Sequence, residues 1–285
     1  MIPIRVIRRR IRSIQSTAKI TRAMEMIAAS KMRQAQSRVL AARPYARKMR
    51  EVLADLAAQT QTNGALHALL QRREVRRVAV IHIAADRGLC GGLNANVNRN
   101  TMSFITERNM PVTMITVGRK GRDFMSRFRQ NIRAEFTHMG EQPSLLDTIP
   151  ISRVVIDDYA NEAIDQVYLS YTQFITTVNQ QPVLKELLPI EPARLERAEN
   201  VEYIYEPSSS VVLEQLLPRY VEMQVYHAIL ESIASEQSAR MVTMRNATDN
   251  ANDMIAELTL VLNKARQELI TKELLDIAGG TATQT

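Results

Sequence analysis

Tryptophan is absent, and cysteine occurs once, at Cys90. A single thiol excludes an internal disulfide framework and any cysteine-rich zinc site, and it is compatible with a reducing compartment. Glycine is scarce at 9 of 285 residues, about half its usual share, and aromatics make up only 5%. No run of about 18 apolar residues occurs, so no membrane span is expected. Few turn-formers beside abundant Ala, Met, Arg, Glu and Gln point to long helices. At 45% hydrophobic residues the chain can bury a sizeable core, and its length allows one or two domains.

Acidic residues are missing from one place in particular. Residues 1–50 hold fourteen Lys and Arg against Glu25 alone, a local charge of +13. The other 235 residues hold 23 basic and 29 acidic groups, a net of −6, so the overall +7 is an acidic body with a basic leading segment. The apolar pattern continues unbroken past residue 50. The basic start is therefore read as part of the fold and not as a targeting peptide.

That pattern advances in alternating steps of three and four: Ile4, Ile7, Ile11, Ile14, Ala18, Thr21, Glu25, Ala28, Met32, Ala35, Val39, Ala42, Ala46, Met49, Leu53 and Leu56. Such a sustained stripe predicts a coiled-coil seam, with Thr21 and Glu25 as its polar members and a kink expected near Pro44. A second stripe runs from Leu213 through Leu216, Tyr220, Met223, His227, Leu230, Ala234, Gln237, Met241, Met244, Thr248, Ala251, Ile255, Leu258, Leu262 and Ala265 to Leu269. Pro207 and Ser208–Ser210 mark its start, Gly279 and Gly280 its expected end, and Pro218 an early offset. Neither helix can bury its seam alone, so the two are expected to pair antiparallel.

Between them the pattern changes. Val78–Ile83, Val112–Val117 and Val167–Tyr171 read as strands and Val201–Tyr205 as an edge strand, with helices around 94–108, 119–130 and 151–165. Alternating strands and helices predict an α/β layer with a largely parallel sheet. The expected domains are 1–60, a linker over 60–74, an α/β domain over 75–205, and 208–285.

Few segments suggest chemistry. Asp86-Arg87-Gly88-Leu89-Cys90-Gly91-Gly92-Leu93-Asn94 follows the first strand, and a glycine-rich turn there could cradle a phosphate. It carries neither GxGxxG nor a Walker-type Gly-Lys-Ser/Thr, and a tight turn with Asn94 near the helix cap is the plainer reading. Gly118-Arg119-Lys120-Gly121-Arg122 is either an anion site or a solvated turn into the helix of Phe124 and Phe128. Asp157-Asp158 reads as a solvated face, and His67, His82, His138 and His227 show no metal-ligand spacing. For the basic face over residues 5–50, an acidic protein partner, nucleic acid and plain solvation all remain open.

Five stretches together resemble the gamma subunit of the rotary F-type ATP synthase. They are Lys19-Ile20-Thr21-Arg22-Ala23-Met24-Glu25-Met26-Ile27-Ala28-Ala29-Ser30-Lys31-Met32; Asp86 to Gly91 with Asn94; Tyr205-Glu206-Pro207; Ser235-Glu236-Gln237 with Ala239-Arg240-Met241-Val242 and Arg245 to Ala251; and Asn263-Lys264-Ala265-Arg266-Gln267 with Ile270-Thr271-Lys272-Glu273-Leu274. The resemblance implies an antiparallel two-helix coiled coil bearing an inserted Rossmann-like α/β domain. It implies a non-catalytic central stalk, without cofactor or metal, that couples rotation of a membrane c ring to conformational change in catalytic beta subunits. Implied partners are the alpha and beta subunits of the hexamer, the epsilon subunit and the c ring, with no nucleic acid and the membrane reached only through the ring. The implied location is peripheral, on the cytoplasmic side of a bacterial cell membrane. Arg9, Met24, Arg240, Arg266, Gln267, Thr271 and Glu273 would face the beta subunits, and Tyr205 and Glu206 the c-ring and epsilon end. Val6 stands where the family often has an acidic residue, and the two-cysteine insertion of chloroplast forms is missing. A nucleotide-binding α/β protein and a basic coiled-coil nucleic-acid binder are the alternatives.

Overall fold

The computed structural model describes residues 3–60, 67–108, 110–140, 142–191, 203 and 205–282. Two long helices flank a sheet domain. Helix α1 spans Ile4–Thr60, including Pro44, and α5 spans Ser209–Ala282, including Pro218. Between them lie β1 (Val78–Ile83), α2 (Leu93–Arg108), β2 (Val112–Val117), α3 (Arg119–Arg127), β3 (Asn131–Phe136), α4 (Leu145–Ala160), β4 (Gln166–Phe174) and β5 (Gln180–Leu188). Among the described residues no helix is long and apolar enough to cross a membrane.

The sheet order is β3-β2-β1-β4-β5. The first four strands run parallel and β5 antiparallel to β4. All six residues of β1 are buried, as a central parallel strand covered on both faces requires. One face packs Val80, Met114, Met125 and Tyr168 under α2 and α3. The other packs Ile81, Ile83, Ile115 and Leu169 against Leu53 and Leu56 of α1, Ile151 and Tyr159 of α4, and Leu217, Val221 and Ile229 of α5. Full burial of such a side chain contributes about 1.5–3 kcal/mol.

The chain divides into two compact units, Ala29–Arg240 and Met1–Ala28 with Met241–Thr285, and α1 and α5 each take part in both. Every predicted α1 seam residue, Thr21 and Glu25 included, is buried or half-buried. Within the smaller unit one polar member of each stripe meets the other: Thr21 Oγ1 and Thr248 Oγ1 lie 2.7 Å apart. The exposed cations Arg5, Arg8, Arg9, Arg10 and Arg12 share their helix with this seam.

Several sequence expectations shift. Helix α4 begins at Leu145, before the expected 151, because Ser144 and Asp147 form a capping box that satisfies its first amides. Strands β3 and β5 were not anticipated: β3 is a half-exposed edge strand, and β5 contains Pro182, which ordinarily argues against a strand. Helix α5 runs through Gly279 and Gly280 to Ala282. The expected strand Val201–Tyr205 lies mostly outside the described residues, and its described members Tyr203 and Tyr205 are not in the sheet.

Candidate functional site

In an open α/β sheet a ligand enters at the carboxyl ends of the strands, where the strand order reverses. Here the chain builds β2 and β3 on one side of β1 and β4 on the other, so the crevice lies beyond β1 and β4. Its own side chains close it. The Asp86 carboxylate accepts the Arg119 amide at 3.0 Å and the His138 amide at 3.1 Å. A carboxylate thus holds the N-terminus of α3, where a phosphate would bind. Asn94 Oδ1 accepts the Ala85 amide at 3.0 Å, and its Nδ2 donates to the Arg87 carbonyl at 3.4 Å. Gly118, at φ +92, passes so close to Ala84 that a Cβ would stand 2.0 Å from its carbonyl oxygen. Residues Ile229–Glu236 of α5 cover what remains, a cavity of about 50 Å³ against the roughly 300 Å³ or more of a small-molecule pocket. The plainer reading of both glycine turns, as backbone geometry, is the one this arrangement supports.

Cys90 is buried beside Leu93 and Ala239, and burial pushes its thiol up from the usual range. Asp158 faces Arg133 at 3.4 Å, and His67 caps a short 3₁₀ turn by accepting the Leu69 amide at 3.2 Å. Among the described residues no cluster of His, Cys, Asp and Glu could hold a metal ion.

One polar constellation has no motif in the sequence. His82 on β1 pairs in register with Thr116 on β2 and Ser170 on β4, making a buried polar row across three central strands. His82 Nε2 lies 2.8 Å from Asn98 Oδ1 and Nδ1 lies 3.0 Å from Thr101 Oγ1, whose hydroxyl also donates to the Val97 carbonyl at 2.9 Å. Thr101 is in turn 2.6 Å from Ser170 Oγ. Burial pushes the imidazole down to about 4, with a smaller upward pull from Asn98, so the ring is neutral. A histidine in an apolar strand run was the available signal.

The residues marked for partner contact fall into separate stretches. Arg9 is exposed on α1, and Met24 is half-buried between Thr21 and Ala28. Arg266, Gln267 and Thr271 are exposed on α5, and Glu273 lies on the same helix with its side chain outside the described residues. Exposed apolar side chains stand among them: Ile20, Met26 and Ile27 on α1, and Leu269, Ile270 and Leu274 on α5. Glu206 is exposed, whereas the Tyr205 hydroxyl donates to Asp55 at 2.9 Å. Burial, then the bond to Asp55, push that hydroxyl well above the usual tyrosine range. Arg240 is half-buried on α5. Its guanidinium donates to Glu236 at 2.6 Å and to the Gly88 carbonyl at 3.2 Å, so it ties α5 to the glycine turn.

A family model described as ATP synthase matches residues 3–283. A protein of Dehalococcoides mccartyi named ATP synthase gamma chain is 62% identical over 282 residues, 99% of both chains. One of Chloroflexus aurantiacus with the same name is 50% identical over 285 residues, 99% of this chain and 98% of that one. Among solved structures, the central stalk and c-ring of the Tetrahymena thermophila mitochondrial ATP synthase contains a chain with TM-score 0.64 and 27% identity, covering 80% of this chain and 99% of that one. A chain of the Euglena gracilis mitochondrial ATP synthase shares the fold at TM-score 0.67 and 19% identity, covering 99% and 94%.

Proposed function

The chain belongs to the ATP synthase gamma-chain family, and on that premise we propose that it is the central-stalk rotor of a proton-translocating ATP synthase. The observation that carries the reading is 62% identity along 99% of both chains with a gamma chain, which includes both long helices as well as the sheet. Its partners are the alpha and beta subunits of the catalytic hexamer, the epsilon subunit and the c ring. It is a peripheral part of a membrane complex, on the cytoplasmic side of a bacterial membrane. It has no active site; the crevice closed by Asp86 and α5 supports that view. We divide it functionally into 1–60, 75–205 and 208–285.

The work it does is differential binding. An asymmetric shaft meets three beta subunits in three orientations and stabilises a different conformation in each. A ligand shifts an equilibrium only by the difference in its affinity for the two states, so torque becomes a change in nucleotide affinity. We assign Arg9, Met24, Arg266, Gln267, Thr271 and Glu273 to the beta-facing surface, and Tyr205 and Glu206 to the c-ring and epsilon end. The exposure of Arg9, Arg266, Gln267 and Thr271 supports this. Arg240, whose guanidinium donates to Glu236 and the Gly88 carbonyl, is assigned to the beta-facing set as well. Exposed charge pairs contribute only about 0–1 kcal/mol each, so their role is orientation more than affinity.

Arg266→Ala with Gln267→Ala should lower ATP turnover of the assembled complex and leave the fold of the isolated chain unchanged. The purified chain alone should not hydrolyse ATP. Robust hydrolysis by it would sink the proposal.

A further inference from the structure

Strand β4 outlasts its neighbour. Its pairing with β1 ends at His82 and Ser170, while β4 continues beside β5 to Phe174. At Thr172 the register partner on β5 is Pro182, which has no amide to give. The Thr172 amide and carbonyl point away from β5, toward the side where β1 has ended, so Pro182 costs no ladder bond there, and α5 takes both: the amide donates to Ser232 Oγ at 3.4 Å, and Ser235 Oγ donates to the carbonyl at 3.0 Å. One turn further, Ser238 Oγ donates to the Thr177 carbonyl in the β4–β5 hairpin at 2.8 Å. Gln180 Nε2 donates to the same carbonyl at 2.9 Å. Ser235 and Ser238 are fully buried.

Three serines at steps of three thus lie on one face of α5, where the helix would otherwise meet the sheet through apolar side chains. The change of chemistry has a mechanical meaning. Apolar packing is non-directional, and a helix can turn or slide within it at small cost. Hydrogen bonds are directional and weaken steeply when bent. We propose that Ser232, Ser235 and Ser238 key the α/β domain to α5 so that load applied to one is carried by the other. This rests on the rotor reading above. They are positioning residues, acting through the helix and not by touching a partner.

The test uses the complete complex in proteoliposomes, assembled with wild-type chain or with the Ser235→Ala, Ser238→Ala double variant. Three quantities are read: amide exchange over residues 172–180, ATP hydrolysis with the proton gradient collapsed, and the gradient sustained per ATP hydrolysed. Exchange over 172–180 should become about fivefold to tenfold faster. Unloaded hydrolysis should match wild type, and the sustained gradient should fall. Ser235→Cys with Ser238→Cys keeps the size with a weaker donor and should lie between. If the alanine pair does not assemble, Ser238→Ala alone, which loses only the hairpin contact, is read in the same way. Unchanged exchange would overturn the ladder as a holding element, and faster exchange with an undiminished gradient would reduce it to packing. A wild-type chain that yields no coupled complex would overturn the rotor reading itself, a separate outcome.

Discussion

Helix α5 is one helix with two characters. From Leu213 to Arg240 nearly every turn has two buried faces, and Leu217, Val221, Val225 and Leu230 are at most 1% exposed. Among the described side chains from residue 252 to 275, only Ile255, Leu258, Leu262 and Ala265 are half-buried, and Leu260 is 71% exposed. The first stretch satisfies itself against the sheet. The second leaves apolar side chains bare along a helix, the kind of surface the rotor reading assigns to a partner.

The largest test of that contrast is truncation. Leu217→Ala should cost about 2–5 kcal/mol, since it empties a closed core, whereas Leu260→Ala should stay within about 0.5 kcal/mol in the isolated chain. Urea unfolding followed by circular dichroism measures both. Equal losses would break the comparison, because they would mean that residue 260 is already covered within the chain.

Acid should separate the regions next. All eight tyrosines fall between residues 29 and 240, so tyrosine fluorescence reports the sheet-bearing unit alone. His82 is held at about 4 by burial, below its usual 6.5. The unfolded chain therefore binds the extra proton first, and stability that is complete above pH 6.5 drains away as pH falls toward 4. The loss should approach about 3 kcal/mol. The smaller unit's buried residues, Ile7, Thr21, Ala28, Met244, Thr248 and Ala251 among those described, carry no group that titrates there. A His82→Gln chain with the same slope of stability against pH would refute the assignment.

How much of this was legible follows from the same contrast. The α1 stripe was readable residue by residue, because one buried face in steps of three and four leaves an uninterrupted signal. The sheet-facing side of α5 was not: Leu217, Val221, Val225, Ser232, Ser235 and Ser238 overlay a second period on the first, and two faces together read as featureless apolarity. Strand β3 does alternate, but its half-exposed edge carries Arg133 and Glu135 and looks like a loop. Arg240 was legible as a motif member, yet its hold on Gly88, 152 residues away, depends on tertiary structure. The surface of Arg266, Gln267 and Thr271, assigned to beta in the proposal, has no local signature, since a helix face that met a partner would read like a solvated one.

The smallest effect sharpens the comparison most. The sheet-bound stretch of α5 is fixed in register by three serines on a strand edge, whereas in the smaller unit the described buried polar pins are Thr21 and Thr248, both on the predicted stripes. Both hydroxyls also donate to their own helices, Thr21 to Ala18 and Thr248 to Met244, so two protons serve three bonds and the cross-seam link is shared. A shared neutral bond is worth about 1 kcal/mol or less. A cycle of Thr21→Val, Thr248→Val and the double variant should therefore give a coupling of about 0.5–1 kcal/mol, with the double variant close to wild type because two apolar groups replace both partners. The more telling readout is specificity. A polar pair in an apolar seam fixes register at a cost in stability, so the double variant should keep its unfolding midpoint while amide exchange near residues 21 and 248 broadens into more than one population. A double variant with single-population exchange would show that the small seam residues Ala28 and Ala251 set the register by themselves.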